Sequence, residues 1–84
     1  MPKPKDENGQ KNLIGKQLKE LRKTANPKIS QRALSHKLQL MGVDMDRNVI
    51  TRIETNKRYV TDIEIKAIAK IFNVSYDYLI DGKE

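Results

Sequence analysis

The stretch DRNVITRIETNKR, residues 46–58, decides the fold. At about 100° per residue, Ile50 and Ile53 fall on one side of a helix with Val49 beside them. Asn48, Thr51, Arg52 and Thr55 fall opposite, and Arg47 lies to one side at the helix start. A merely solvated face tends to carry Glu and Lys pairs that support the helix. This one carries forked donors and short hydroxyls. Asp46 is placed to cap the helix, and Asn56 to take the left-handed position after it.

Outward from that stretch the chain reads as short helices. Upstream, Ser30 caps a helix whose stripe is Ala33, Leu34, Leu38 and Met41. Gly42 suits its left-handed stop, and Val43 the apolar contact beyond. Before that, Ile14, Leu18, Leu21 and Ala25 make one stripe that Asn12 can cap. Pro27 disfavours helix at Asn26 and ends it. Downstream, Thr61 and Glu64 form a capping box, and Val60 with Ile65 a hydrophobic staple. Ile65, Ile68, Ala69 and Phe72 follow as the buried face, and Asn73 closes the helix. Ser75 caps a last short helix, with Val74 able to staple to Leu79 and Asp81–Gly82 as its stop. The expectation is an all-α fold of five helices without a strand. Residues 1–11, with two Pro and one Gly, are expected as a disordered, solvated tail, and 12–82 as one domain.

Composition narrows the function. Eighty-four residues with 37% hydrophobic content support one small domain with a thin core. No Cys is present, which excludes a disulfide framework and thiolate metal sites and fits a reducing, cytoplasmic setting. No apolar run suits a membrane span, and no signal-peptide core opens the chain. Net charge is +6, with a pI of about 9.7. Residues 1–60 are basic throughout, whereas 61–84 sum to −2. One-sided basic charge points to a polyanion, or else to lysines that only solubilise. Arg and Asn match guanine and adenine edges in the major groove, and Thr a thymine methyl or a phosphate.

The elements in order resemble a known family. IGKQLKELRK, ISQRALSHKL, ITRIETNKR and TDIEIKAIAKIFNVSYDYLI are similar to the phage-repressor-like helix-turn-helix regulators, the Xre or Cro family, over about residues 13–80. The resemblance implies a compact five-helix, lambda-repressor-like helix-turn-helix domain. It implies that Arg47, Asn48, Thr51 and Arg52 meet base edges of double-stranded DNA. Gln31, Thr55, Lys57 and Arg58 match positions that contact the DNA backbone, and Arg22 with Glu54 a pair that joins helices 1 and 3. One departure stands out. QLMGVDM lengthens the connection between helices 2 and 3 by several residues, so helix 2 is expected to gain a turn ending at Gly42. Ser35 replaces a small Ala commonly found where helices 2 and 3 approach; Ser is nearly as small, so the change is expected to matter little.

The function expected is therefore a sequence-specific transcriptional regulator, a repressor. The alternative in another class is an antitoxin or adaptor that uses the same fold to hold a protein partner. A non-specific nucleic-acid binder is the third option. Ile71, Tyr78 and Ile80 exceed what so small a core needs and would suit a homodimer. No enzyme activity, cofactor or metal is expected. His36 has no second ligand at metal spacing, GVDMD lacks the pattern of a calcium loop, and no Gly-rich phosphate loop occurs.

Overall fold

A computed structural model describes residues 9–82. Most of the expected tail, residues 1–8, lies outside the described residues. Among these, five helices and no strand occur: α1 Gly15–Thr24, α2 Gln31–Leu40, α3 Arg47–Glu54, α4 Asp62–Phe72 and α5 Tyr76–Asp81.

Local chemistry accounts for most helix ends. Ser30 Oγ accepts from the Ala33 N–H at 3.0 Å, Asp46 Oδ1 from Val49 at 2.9 Å and Ser75 Oγ from Tyr78 at 3.0 Å. The capping box on α4 is complete: Glu64 N–H donates to Thr61 Oγ1, and Thr61 N–H to Glu64 Oε1. At the C-terminal end of α2, Gly42 (φ +79°) donates to the Gln39 carbonyl and Val43 to that of Leu38. The same pair of reversed bonds closes α3, where Asn56 (φ 61°) donates to Ile53 and Lys57 to Arg52. Both ends are Schellman motifs, which satisfy carbonyls that a helix terminus leaves without partners.

The start of α1 is set at longer range. Asn12, expected as the cap, instead makes a turn just before α1: its Oδ1 accepts from the N–H groups of Ile14 and Gly15 at 3.1 and 3.0 Å, while the N-cap position is Ile14, which has no side-chain cap bond. Asn12 Nδ2 also donates to the carbonyls of Ile53 and Arg58. Asn56 Nδ2 donates back to the carbonyl and side-chain oxygens of Asn12. The two asparagines clamp the beginning of α1 onto the end of α3. Gly15 lies in this join, where a Cβ would run into the Ile53 carbonyl, so only Gly admits so close an approach.

Ile14, Leu18, Leu34, Leu38, Met45, Ile50, Ile53, Ile68 and Leu79 form the fully buried centre. α3 packs on α1 and α2, and α5 on α1 and α4. Two expectations change. Met41, expected in the α2 stripe, is 41% exposed, whereas Met45 is 1% exposed. The stop at Gly42 ends the helical period, and the returning segment drops Met45 into the space instead. Ser35 is also more than small: its hydroxyl donates to the Met45 carbonyl and pins that segment to α2. On α4 the buried residues are Ala67, Ile68 and Ala69, with Ile65 and Phe72 at the margin. Packing against both α2 and α5 widens the covered face beyond one stripe.

Candidate nucleic-acid interface

Arg47, Asn48, Thr51 and Arg52 on α3, and Thr55 at its C-cap, are all exposed, opposite buried Ile50 and Ile53. No hydrogen bond or ion pair among the described residues engages the side chains of Arg47, Asn48, Arg52 or Lys57. The two threonines differ. Thr51 donates to Gln31 Oε1 at 3.2 Å, and Thr55 donates back to the Thr51 carbonyl at 2.9 Å.

A polar node sits behind this face. Arg22 Nε donates to Glu54 Oε2, and Nη2 to Oε1 at 2.8 Å, a two-pronged fork between α1 and α3. The third arm, Nη1, donates to the Ile29 carbonyl before α2. Gln31 Nε2 adds a bond to Glu54 Oε1 at 3.2 Å. Three helices therefore meet at one carboxylate. The Arg22 side chain is 11% exposed and that of Glu54 4%. The hydrogen bond to Glu54 raises the Arg22 pKa further, against the opposing effect of burial. A charged pair this covered adds little net stability over apolar residues, but its fork allows few orientations.

Gln31 is held at both ends of its amide by this node, on the first turn of α2. Arg32, which the sequence reading passed over, is exposed and lines one cleft with Ser30, Gln31 and Arg47. Its signal was available: a cation beside the positive end of α2, one residue from Gln31. The cleft joins the starts of α2 and α3, where helix N-termini favour anions.

Arg58 stands apart from Lys57. Its guanidinium forks onto Glu64 at 3.0 and 3.1 Å and also donates to the Tyr59 carbonyl. Lys57 is exposed. Burial alone would push the Glu64 carboxyl up. The Arg58 fork and the Thr61 N–H outweigh it and hold the pKa below its ordinary 4.5. Because the folded value is the lower one, the ionised carboxylate stabilises the fold fully above the unfolded value. That contribution is lost as pH falls through the folded value. Urea midpoints are accordingly expected to fall as pH drops below 4.5, and Glu64→Gln to flatten that part of the profile. An unchanged profile in the variant would mean the fork is not maintained in solution.

His36 is exposed, and Asp46 is engaged as the cap of α3. No helix among the described residues is long and apolar enough to cross a membrane.

A family model described as helix-turn-helix matches residues 18–79. No curated protein and no solved structure matches the chain significantly. The match spans most of the chain and all of α2, α3 and α4, and it coincides with an all-helical domain whose third helix presents an exposed polar face. The chain belongs to the phage-repressor-like helix-turn-helix family of DNA-binding regulators.

Proposed function

We propose that the protein is a sequence-specific binder of double-stranded DNA that acts as a transcriptional repressor in the cytoplasm, with α3 in the major groove. The observation that carries this is the set of Arg47, Asn48 and Arg52, exposed together without partners among the described residues, on a helix that the Arg22–Glu54 fork ties to α1. Arg donates in pairs to guanine and Asn pairs with adenine, so these three choose the sequence. Thr51 lies beside them. Gln31, Thr55, Lys57 and Arg58 meet the phosphate backbone, Lys57 with its full charge and Arg58 with a charge that Glu64 offsets.

Two copies reading two half-sites would bind far more tightly than one. Of the surplus apolar residues, Ile71 and Tyr78 are partly buried and Ile80 is 37% exposed. Ile63 at 69% and Tyr76 at 51% extend the apolar face of α4 and α5 that supports the homodimer reading.

The test is selection on a random duplex pool at ~0.15 M salt, where purely electrostatic attraction is suppressed. An enriched inverted repeat is the expected outcome. Binding lost as salt rises, with no enrichment, would overturn the reading in favour of a protein-binding adaptor. On the selected site, Arg52→Ala is expected to cost about 1–3 kcal/mol and to relax one base position. Lys57→Ala should weaken all sequences alike and lower the salt slope by about one. Equal binding of every site by Arg52→Ala and the unaltered chain would remove α3 from the bases.

A further inference from the structure

The residues just before α1 are tied to the domain. The Lys11 N–H donates to the Asn56 carbonyl at 3.1 Å. Asn12 is bound to Ile53, Arg58 and Asn56. These bonds lay the segment along the C-terminal end of α3. Lys11 is thereby half-buried, with Nζ 5.6 Å from the centre of the Tyr59 ring. It lines an open cleft together with Arg52, Lys57, Arg58 and Thr61. Among the described residues no acidic side chain lines that cleft. The charge of Arg58 is met by Glu64 from behind. Among the described residues, Lys11, Arg52 and Lys57 remain as three cations gathered at one end of α3.

We propose that this cleft receives a phosphodiester of the DNA backbone and that Lys11 is a contact residue for it. The inference rests on the reading of α3 as the helix in the major groove. Arg52 belongs both to the exposed face of α3 and to the cleft, so an occupant of the cleft lies beside the bases that α3 meets. Cations crowded together repel one another, and a bound anion relieves that repulsion. The backbone bonds at Lys11 and Asn12 have already ordered the segment, so little freedom is lost when the phosphate arrives. Lys11 precedes residue 18, where the family match begins.

The test is a salt titration of the full chain on its selected duplex and on a scrambled duplex. Lys11→Gln is compared with the unaltered protein and with Lys70→Gln, an exposed lysine on α4 outside the cleft. Each phosphate contact contributes about 0.9 to the slope of log affinity against log salt. Lys11→Gln is expected to lower the slope by about that amount, to weaken both duplexes by the same factor and to melt at the same temperature as the unaltered protein. Lys11→Arg should restore the slope, and Lys70→Gln should leave it unchanged. An unaltered slope and affinity in Lys11→Gln, with the parent protein still selecting its site, would overturn the proposal and leave the reading of α3 standing. A parent protein that selects no duplex would overturn the reading on which both depend.

Discussion

Glu54→Ala is expected to destabilise the domain by about 1–3 kcal/mol, the cost of leaving a largely covered charged donor without its acceptor. Arg22 cannot shed its proton, and with 11% of its side chain exposed it has little access to water. It would keep only the bond from Nη1 to the Ile29 carbonyl. Gln31 Nε2 loses its acceptor in the same step. For a domain of this size, whose stability is on the order of 5–15 kcal/mol, that loss is a large share. Replacing both partners with apolar residues, Arg22→Met with Glu54→Leu, is expected to cost far less or nothing, because no charge is then stranded. Urea unfolding of the three proteins measures this. DNA discrimination by the double variant separates the two roles of the node. If it folds well but distinguishes sites poorly, the fork orients α3. A loss below about 0.5 kcal/mol in Glu54→Ala, the usual range for an exposed surface change, would mean that the pair is open to solvent.

Met45→Ala is expected to cost about 2–5 kcal/mol, as for other large-to-small changes in a packed core. Met41→Ala, four residues earlier and 41% exposed, should remain within about 0.5 kcal/mol of the parent. Met45→Leu conserves volume and is expected to cost less than about 1.5 kcal/mol. Urea midpoints of the three variants check the contrast. Equal losses at Met41 and Met45 would contradict the packing described. The connection carrying Met45 also sets where α3 begins, since Asp46 is the next residue and the cap. DNA affinity should therefore fall in Met45→Ala beyond the fraction of protein that is unfolded.

The two methionines show where sequence reading stops. Leu34, Leu38 and Met41 share one helical stripe, and periodicity carries on as long as the helix does. Gly42 was legible as the stop, but not the path of the chain after it. That path depends on Ser35, whose hydroxyl holds the Met45 carbonyl across ten residues of sequence. Asn12 divides in the same way. Its bonds to the N–H groups two and three residues ahead are implicit in the residue type. Its bonds to Ile53, Asn56 and Arg58 exist only because α1 and α3 meet. The resemblance to a family supplied the candidate roles of Arg47, Asn48, Thr51 and Arg52, and the alternation of Ile with polar residues placed most of them on one face. Which polar side chains remain unengaged is a property of the folded domain: Gln31, Thr51 and Arg58 are drawn into internal bonds, while Arg32 and Lys11 come to line the clefts beside α3.

By itself, the sequence determined the five helices, most of their caps and stops, the inward side of α3 and the basic character of the first sixty residues. These follow from contacts within about one helical turn, or from charge that needs no geometry. The tertiary structure alone decided the burial of Met45, the asparagine clamp, the angle of α3 and the gathering of Lys11, Arg52 and Lys57. Each of these depends on groups far apart in sequence, whose approach is settled only when the apolar faces of several helices are buried together.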